Sequence, residues 1–339
     1  MRKTKAMKAA VITAFNAPWE IRSLPDPKPE PGQVLVRVRA SGMCGTDVHV
    51  HHGMFPLKPP FVAGHEPVGE IVALGAGVTD LKVGDRVGAF WNQHGCGRCD
   101  VCQSGRQDQC AKVQTWMNTG GGNSELMIAW ASGCALIPDG VSFENAAPIF
   151  CAGYTVMSGL RNASPSPRER VAVLGVGGLG HLAVQFAKAV GLETFAITGR
   201  EDKRKELRDL GADEVIIAGD DPGKALAAAG GADIILSTTN SAKQISAAFG
   251  GLRRQGRLIN MGVADGPIAI DPFTLMFGQR ELRGSSQDER VDLLEALQHV
   301  ASGKVKPVIE LYPLEKVNEV RERLEAGKVR YRAVVQHAY

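Results

Sequence analysis

A glycine-rich turn between a short apolar run and a helical pattern places the strongest constraint on the fold. The run Val171–Leu174 precedes the glycines, and the apolar spacing beyond them predicts a helix that continues to Val190. Gly175 would permit a tight turn, Gly177 a close approach of the backbone to a pyrophosphate, and Gly180 close packing of the helix on its strand. The free helix N-terminus would then face the anion. This stretch predicts the first half of a βαβ unit that binds a dinucleotide.

An alternation of strand-like and helix-like stretches surrounds this turn. Strand candidates begin at Val171, Thr194, Glu214, Ala232, Gly256 and Glu281. Six such units with right-handed crossovers predict an α/β fold, with a doubly wound parallel sheet over residues 155–285. A lone G-x-G-x-x-G in a chain with 40 glycines is equally compatible with an ordinary turn. The strand and helix around it are therefore what favours a dinucleotide site.

The rest of the chain has a different pattern. Residues 1–154 contain many short strand-like runs separated by proline and glycine clusters, which is typical of a β-rich barrel. Residues 286–339 contain two helical patterns and a final apolar run that do not continue the alternation, and we expect this tail to return to the first domain. The length of 339 residues also favours two domains.

Charge and hydropathy exclude several classes of partner. The 39 basic and 36 acidic residues are scattered, and their net charge of +3 gives no field that would attract nucleic acid or an anionic membrane surface. No apolar run approaches the ~20 residues that span a bilayer, and Met1–Lys5 is not followed by the apolar core of a signal peptide. We therefore expect a cytoplasmic protein without nucleic-acid or membrane partners.

Four of the seven cysteines lie close together with the spacing C-x2-C-x2-C-x7-C, at Cys96, Cys99, Cys102 and Cys110. Four thiolates on one short loop suit a closed, tetrahedral, structural zinc site. An iron–sulfur cluster is the alternative, because bacterial ferredoxin sites also open with C-x2-C-x2-C, but their last cysteine comes sooner and precedes a proline. Here Ala111 follows the last cysteine, so the spacing favours zinc.

A second set of residues, Cys44, His65 and Cys151, is spread over the same half of the chain. Singly, each is typical of ordinary packing, since a buried cysteine behaves as a small hydrophobe. Together they would supply two thiolates and one imidazole, a ligand set of catalytic zinc sites that keep a fourth position open for substrate. Asp47 and Glu66 are candidates to orient these ligands, and a solvated carboxylate is the alternative for one of the two.

In the same order and over residues 7–335, these motifs resemble those of the zinc-dependent medium-chain alcohol dehydrogenases. The resemblance rests on Cys44-Gly-Thr-Asp-Val-His49, on Gly64-His-Glu-Pro-Val-Gly69, on the four-cysteine loop and on the glycine turn. It implies a GroES-like catalytic domain, formed by residues 1–154 and 286–339, and a Rossmann domain between them. It also implies an NAD(P)-dependent alcohol dehydrogenase or aldehyde reductase with two zinc ions per chain, assembled as a homo-oligomer of two or four chains.

The resemblance further implies roles for individual residues of the catalytic domain. Cys44, His65 and Cys151 would hold the catalytic zinc, and the four-cysteine loop would hold the structural zinc. Thr46 and His49 match the residues that relay the alcohol proton to solvent. Two more histidines follow His49 closely, so an exposed histidine without a role is the alternative at this position.

Other matches fall in the cofactor and substrate sites. Thr155 corresponds to a nicotinamide contact and Arg332 to an arginine that pairs with the pyrophosphate. Phe55 and Trp91 match residues of the substrate pocket, and Trp116 lies in the glycine-rich stretch 115–124. An apolar wall of three rings predicts a primary alcohol or aldehyde with an apolar side chain, and ordinary core packing is the alternative. The pyrophosphate would also contact the turn residues Gly175, Gly177, Gly178, Leu179 and Gly180.

The adenosine ribose of the cofactor would be recognised at the end of the second Rossmann strand. In NAD-dependent sites an acidic residue stands there, where it accepts hydrogen bonds from the ribose hydroxyls and repels a 2′-phosphate. This chain has Thr198 at that position, followed by Gly199 and by Arg200, whose guanidinium can bind a phosphate. The turn therefore predicts NADP in preference to NAD, with Glu201 and Asp202 as charges that would oppose a phosphate.

Three alternatives stay open on the sequence alone. One is an NAD-dependent, ethanol-type alcohol dehydrogenase. Another is a zinc-free quinone or enoyl reductase on the same scaffold, which would have no use for Cys44, His65 and Cys151 together with the cysteine loop. The third is a non-catalytic nucleotide-binding protein, since a fold by itself does not determine a function.

Overall fold

A computed structural model gives the structure of the chain and describes residues 6–337. The chain divides into two compact units, residues 1–151 with 308–339 and residues 152–307. Each unit has its own sheets and its own buried core. Within residues 6–337, no helix is both long enough and apolar enough to cross a membrane.

The strands are, in chain order, β1 (Ala6–Ile12), β2 (Glu20–Pro25), β3 (Gln33–Met43), β4 (Phe61–Val62), β5 (Glu66–Leu74), β6 (Arg86–Ala89), β7 (Asn92–His94), β8 (Gln114–Thr115), β9 (Leu126–Trp130), β10 (Cys134–Leu136), β11 (Arg170–Leu174), β12 (Glu193–Thr198), β13 (Glu214–Ile217), β14 (Ala232–Ser237), β15 (Leu252–Asn260), β16 (Glu281–Gly284), β17 (Ile309–Pro313) and β18 (Arg332–Gln336). The helices are α1 (Gly45–His51), α2 (Asp100–Gln103), α3 (Trp116–Thr119), α4 (Phe143–Ala146), α5 (Ala152–Ala163), α6 (Gly180–Ala189), α7 (Arg204–Asp209), α8 (Pro222–Ala228), α9 (Ala242–Phe249), α10 (Pro272–Gly278), α11 (Arg290–Ala301) and α12 (Val317–Glu325). Short 3-10 turns occupy Gln107–Gln109, Ala131–Gly133, Ala147–Phe150, Glu201–Lys203 and Leu314–Lys316.

The first unit is built mainly from antiparallel strands. Its main sheet has the order β10-β6-β5-β3-β18-β17, and β9 extends it by pairing with the first half of β3. A three-stranded sheet, β2-β1-β4, and a two-stranded sheet, β7-β8, complete the unit. The structure confirms the β-rich architecture that the sequence predicted for this domain.

Strand β3 leads directly to the site described below. Val34, Val36 and Val38 are buried while Arg37 is exposed, as expected for side chains that alternate between the two faces of a strand. From Ala40 onward both faces are buried, because β3 there lies between β5 and β18. The strand therefore delivers the residue that follows it, a cysteine, to the interior of the unit.

The second unit contains a six-stranded parallel sheet in the order β13-β12-β11-β14-β15-β16. All six strand candidates of the sequence form strands of this sheet, which confirms the α/β fold class. The strand order reverses beside β11, because β12 pairs with one of its edges and β14 with the other. In such sheets the ligand crevice lies outside the carboxyl ends of these strands. The glycine turn directly follows β11 and so occupies this position.

The tail is divided between the two units, which differs from the sequence prediction. The sequence pattern assigned everything after residue 285 to the first domain, but α11 lies in the second unit. Asp292 of α11 is buried and accepts a hydrogen bond from Ser158 Oγ of α5 at 2.8 Å. The apolar face of α11 was visible in the sequence, whereas the partner of that face was not. From Val308 onward the chain rejoins the first unit through β17 and β18.

Candidate active site

Cys44 stands where β3 ends and α1 begins, and it is the N-cap of that helix. Its thiol accepts a hydrogen bond from Thr46 N at 3.3 Å, and its own N–H donates to Asp47 Oδ2 at 2.9 Å. A carboxylate in the first turn of a helix is also favoured by the helix dipole. Local capping therefore fixes the positions of Cys44 and Asp47 together.

His65 reaches the same point from the start of β5. Gly64, directly before it, has a φ of +109°, and a Cβ at that position would lie 2.6 Å from Asn123 N, so the turn requires glycine. The imidazole Nε2 lies 3.4 Å from Cys44 Sγ, and Nδ1 lies 3.6 Å from Asp47 Oδ1. Burial alone would lower the pKa of His65, but the charges of Asp47 and Cys44 raise that pKa well above its ordinary value. Asp47 thus links the cap of α1 to the orientation of the imidazole.

Cys151 completes a buried cluster of metal-ligand atoms. One such atom from each of Cys44, His65, Glu66 and Cys151 lies within 4.8 Å of the others. The Cys151 thiol donates a hydrogen bond to Cys44, which lowers the pKa of Cys44 well below its ordinary value and raises that of Cys151. A tetrahedral zinc with ligand distances of ~2.3 Å to sulfur and ~2.0 Å to nitrogen would hold Cys44 Sγ and His65 Nε2 about 3.5 Å apart. The observed 3.4 Å between Cys44 Sγ and His65 Nε2 fits a zinc ion.

Glu66 and Arg332 form a buried ion pair beside this cluster, although they are 266 residues apart. The Arg332 Nη2 group donates to both carboxylate oxygens, at 2.6 Å for Oε2, and Glu66 Oε1 lies 3.6 Å from His65 Nε2. A Cβ on Gly42 would come within 1.8 Å of Glu66 Oε2, so glycine is required next to the pair. Burial raises the pKa of Glu66 to about 7 against the opposing charge of Arg332. The resemblance assigns Arg332 to the cofactor, and no sequence feature indicates that Glu66 is a partner of this arginine.

Thr46 and His49 lie three residues apart on α1, so they share one face of the helix. Both are half-buried, and the His49 ring makes no hydrogen bond or ion pair within the part of the chain that the structure describes. His51 is buried and accepts a hydrogen bond from Trp19 Nε1 at 3.2 Å, while His52 bonds a glutamate of α12 at 2.9 Å. Two of the three neighbouring histidines therefore have structural partners, and His49 keeps its ring nitrogens available.

Phe55, Trp91 and Trp116 form a continuous set of ring contacts that starts at His65. The Trp91 ring centroid lies 5.3 Å from that of His65, 5.6 Å from that of Trp116 and 5.5 Å from that of Phe55. Trp116 is only 1% exposed and begins the short helix α3, whereas Phe55 and Trp91 are half-buried. All three belong to one apolar cluster of the first unit. These three rings therefore both pack in the core of the first unit and form an apolar wall beside the His65 imidazole.

The four-cysteine loop forms the second ligand cluster. Cys99 precedes α2, Cys102 lies in it, and Cys110 follows the 3-10 turn Gln107–Gln109. The Sγ atoms of Cys99 and Cys110 are 3.7 Å apart, and those of Cys96 and Cys102 are 4.0 Å apart. A tetrahedral zinc would place its four sulfurs about 3.8 Å from one another. With all four sulfurs within 4.8 Å, the loop fits a single zinc ion better than a cluster of several irons.

Backbone N–H groups stabilise the thiolates of this loop. Cys110 Sγ accepts hydrogen bonds from Cys96 N at 3.4 Å and from Lys112 N at 3.3 Å. The N–H groups of Arg98 and Cys99 lower the pKa of Cys96 to about 6. The loop thus carries most of its own support within one short stretch of backbone.

In the second unit, the glycine turn has the geometry that its three glycines predict. Gly175 has a φ of +85°, a Cβ on Gly180 would lie 2.2 Å from Gly175 O, and a Cβ on Gly177 would meet nothing within 4 Å. Leu179 is the N-cap of α6 and provides no side-chain cap, so the N–H groups at this helix end are available to an anion. Thr155 is a half-buried residue of α5 in the same unit.

Strand β12 ends at Thr198, so a hydroxyl and not a carboxylate stands at the end of the second strand. Thr198 Oγ1 accepts a hydrogen bond from Arg200 N at 3.3 Å, across Gly199. The exposed Arg200 side chain pairs with Asp202, at 3.1 Å from Nε to Oδ1 and 2.5 Å from Nη2 to Oδ2. Glu201 pairs with a different arginine of α7. Of the two carboxylates that would oppose a phosphate, Asp202 is the one that forms an ion pair with Arg200.

Both units match known protein families. Residues 30–139 match the family described as "Alcohol dehydrogenase GroES-like domain", and residues 178–302 match "Zinc-binding dehydrogenase". The second match extends through α11, in agreement with the division of the tail between the units. The two matches therefore cover most of the chain in the order in which the units occur.

Relatives cover almost the entire length. An alcohol dehydrogenase of Geobacillus stearothermophilus is 41% identical over 97% of this chain and 99% of its own. The crystal structure of the alcohol dehydrogenase from Aeropyrum pernix has a TM-score of 0.89 and 31% identity, covering 97% of this chain and 100% of that one. The acetophenone reductase of Geotrichum candidum, in complex with NAD, has a TM-score of 0.87 and 29% identity over 98% of this chain and 97% of its own. With two metal-type clusters in place, these likenesses show that the chain belongs to the zinc-dependent medium-chain alcohol dehydrogenase family.

Proposed function

We propose that this alcohol dehydrogenase acts on primary alcohols and aldehydes with an apolar side chain and uses NADP(H) in preference to NAD(H). Family membership gives the reaction class, an NAD(P)-dependent oxidation of alcohols or reduction of aldehydes. The observation that carries the proposal is the buried cluster of Cys44, His65 and Cys151, whose imidazole contacts the Trp91 ring. Ligands of this kind beside an apolar wall suit an alcohol with an apolar chain.

The first unit would supply two zinc sites. Cys44, His65 and Cys151 would hold the catalytic ion, and the four-cysteine loop would hold the structural ion. When bound, a catalytic zinc supplies Lewis-acid chemistry that lowers the pKa of a hydroxyl toward neutrality. The chain's own residues keep the ligands in position. Asp47 orients the His65 imidazole, and the buried ion pair of Glu66 and Arg332 lies beside the ligands with its two charges balanced.

Thr46 and His49 are the residues proposed to move the alcohol proton. Thr46 lies two residues after Cys44, a proposed ligand of the catalytic zinc. Its hydroxyl can therefore accept the alcohol proton beside that ligand. His49 lies on the same face of α1 and keeps its ring nitrogens available, which suits proton transfer to solvent. The partners of the two neighbouring histidines support His49 as the relay residue.

The dinucleotide is proposed to bind with its pyrophosphate at the turn Gly175–Gly180 and its nicotinamide near Thr155. The open space beside Gly177 and the uncapped end of α6 support the first contact. The assignment of Arg332 to the pyrophosphate stays a prediction, because Glu66 already engages this guanidinium.

The preference for NADP is supported by two residues at and after the end of β12, Thr198 and Arg200. Thr198 places no negative charge where a 2′-phosphate would lie, and Arg200 can donate two hydrogen bonds to it. The Arg200–Asp202 pair opposes this, but an exposed ion pair contributes only ~0–1 kcal/mol. Charge-assisted hydrogen bonds to a phosphate contribute ~1.5–3 kcal/mol. A 2′-phosphate would therefore displace Asp202 from Arg200.

The catalytic efficiency of the purified enzyme with NADPH and NADH tests this preference. We expect Arg200→Ala to weaken NADPH binding by about 10- to 100-fold and to leave NADH binding nearly unchanged. Asp202→Asn should strengthen NADPH binding, and Glu201→Gln is the control of equal charge change that leaves the Arg200–Asp202 pair intact. A wild-type enzyme that works better with NADH, or equal losses for both cofactors in Arg200→Ala, would overturn the preference.

A panel of alcohols tests the substrate class. We expect medium-chain and benzyl-type alcohols to exceed ethanol, and Trp91→Ala to reduce that advantage, because Trp91 is the half-buried ring next to His65. Equal or better efficiency with sorbitol or glucose would refute an apolar pocket. Best turnover with ethanol and NADH would favour the second candidate, an NAD-dependent, ethanol-type enzyme, whose cofactor, though not its substrate, is supported by the NAD complex of the Geotrichum candidum relative.

A homo-oligomer of two or four chains is supported by an exposed apolar surface of the second unit. Helix α10 has no buried residue, and its Phe273, Met276 and Phe277 side chains are 67%, 65% and 58% exposed. Strand β16, which follows α10, pairs with β15 alone among residues 6–337. Light scattering of wild type and of Phe277→Asp tests this: a monomeric wild type would overturn it.

The cytoplasm is the proposed location of the enzyme. None of the seven cysteines forms a disulfide in the structure, and six of them lie close to another thiol in the two ligand clusters. Free thiols in such proximity fit a reducing compartment. Fractionation of cells that produce the protein, with activity in the membrane or exported fraction as the contrary result, tests the location.

A further inference from the structure

His181 is a buried titratable residue to which the proposed function gives no role. It is the second residue of α6, and its side chain is fully buried. Apart from Gln185, every other residue from 180 to 187 is glycine or apolar. A buried polar ring costs free energy unless it is hydrogen-bonded. Its partner should therefore explain why a histidine stands here.

One hydrogen-bond partner of the ring lies in the glycine turn. His181 Nδ1 lies 2.9 Å from Gly178 O. A carbonyl oxygen can only accept, so Nδ1 carries the proton and donates it to this bond. The Gly178 carbonyl and the Leu179 N–H belong to one planar trans peptide and point in opposite directions. Because Gly178 O is held toward the ring, the Leu179 N–H is turned away from it.

The Leu179 N–H is one of the unsatisfied groups at the start of α6. Leu179 is the N-cap of the helix, without a side-chain cap. Among the described residues, neither Gly178 N–H nor Leu179 N–H has a hydrogen-bond partner. Such N–H groups at a helix N-terminus are suited to bind an anion. The His181 ring thus sets the direction of a peptide that offers a donor at the proposed pyrophosphate position.

We propose that His181 is a positioning residue for the cofactor: its Nδ1–H fixes the Gly178–Leu179 peptide so that Leu179 N–H donates to the pyrophosphate. The inference rests on the proposed function only in placing a dinucleotide at this turn. It holds for NAD and NADP alike, because both contain the pyrophosphate. A residue that merely helps α6 to pack would change stability without singling out ligands that carry a diphosphate.

The test compares His181→Leu with His181→Asn on the intact enzyme. The leucine removes the donor, whereas the asparagine amide can place a donor near the position of Nδ1. Gln185→Leu is the control: Gln185 is on the same buried helix, donates to His181 O at 3.2 Å and accepts from Lys306 N at 2.8 Å, but does not bond the turn. Binding is measured for NADH, NADPH and ADP-ribose, which contain the diphosphate, and for adenosine, which does not.

We expect His181→Leu to weaken the three diphosphate ligands by about ten-fold, the scale of one hydrogen bond, and to leave adenosine unchanged. His181→Asn should recover most of the loss, and Gln185→Leu should lower Tm without a selective loss. If His181→Leu does not fold, His181→Gln, which offers its donor further from the backbone, takes its place.

Unchanged diphosphate binding in the His181→Leu enzyme, or an equal loss for adenosine, would overturn the inference and leave the proposed function intact. A wild-type enzyme that binds neither NADH nor NADPH would overturn the proposed function and, with it, the placement on which the inference rests.

Discussion

The two ligand clusters of the first unit reach similar donor chemistry in different ways. The four-cysteine loop draws all its sulfurs from the stretch between Cys96 and Cys110. In the buried cluster, Cys44 directly follows β3, His65 directly precedes β5, and Cys151 follows a 3-10 turn much further along the chain. The loop is a local structure, whereas the buried cluster exists only when the sheet of the first unit has formed.

The thiolates of the two clusters are also stabilised by different groups. In the loop, backbone N–H groups of Arg98 and Cys99 lower the pKa of Cys96 to about 6. In the buried cluster, the pKa of Cys44 is lowered chiefly by the Cys151 thiol and by the His65 imidazole, which are side chains. A thiolate that is stabilised by backbone N–H groups tolerates changes in neighbouring side chains. A thiolate that is stabilised by side chains does not. We therefore expect mutations around the buried cluster to affect catalysis and mutations of the loop to affect stability.

The largest expected effect on turnover comes from Cys44→Ala. Loss of this ligand should reduce turnover to background, because a catalytic zinc needs all three of its protein ligands. The far-UV CD spectrum and cofactor binding should be close to those of the wild type, since the change removes one small buried side chain. Steady-state kinetics and cofactor titration check this. A variant that keeps a tenth of the wild-type kcat would contradict the assignment.

The largest expected effect on stability comes from Cys99→Ala. Structural zinc in small sites contributes ~10–16 kcal/mol of apparent binding energy that serves as local folding energy. Loss of one ligand should therefore lower Tm and open the segment 96–112 to proteolysis. Cys134→Ala is the control, because Cys134 is a buried cysteine outside both clusters. If the two variants melt at the same temperature and are cleaved equally, the four-cysteine loop does not stabilise the fold through a bound zinc.

A smaller, intermediate effect is expected for Asp47→Asn. Asp47 faces His65 Nδ1 at 3.6 Å and bonds the Cys44 N–H, so the change should lower zinc affinity or activity by about 10- to 100-fold. Asp100→Asn is the matched control: Asp100 also stands in the first turn of a helix that a ligand cysteine precedes, but it is exposed. Equal effects of the two changes would contradict the view that side chains stabilise the ligands of the buried cluster and backbone groups stabilise those of the loop.

The smallest effect is expected for His49→Gln. His49 would relay a proton without contacting the substrate, so solvent can partly replace it, and we expect about a ten-fold decrease in kcat, less than for a direct general base. The decrease should be restored in part by imidazole buffer. His52→Gln serves as control, because His52 is paired on the surface. An unchanged kcat in His49→Gln, or no recovery of its activity with imidazole buffer, would remove His49 from the relay.

The sequence predicts local features of this molecule well. The six Rossmann strands, the glycine turn and the cysteine loop are each encoded in a short stretch, so spacing and periodicity are sufficient to find them. Cys44, His65 and Cys151 were recognised as a possible ligand set from their residue types, but three residues so far apart have no spacing rule of their own, and their assignment came from the resemblance to a family.

Long-range pairings are what the sequence could not provide. The Glu66–Arg332 pair joins residues from opposite ends of the chain, and its charge balance is visible only when β5 and β18 lie in the same sheet. Helix α11 shows the same limit, since its apolar face does not reveal that its partner is α5. His181 was overlooked for another reason: a lone histidine in a helical pattern gives no indication of the carbonyl it bonds.

Zinc content is the most direct test of the two-cluster account. Elemental analysis of the intact wild-type enzyme, purified after growth with ample metal, should give two zinc ions per chain. Cys44→Ala and Cys99→Ala should each retain one, and only the second variant should lose thermal stability markedly. One zinc or fewer in the wild type, or loss of both ions from Cys44→Ala, would contradict two independent zinc sites in this unit.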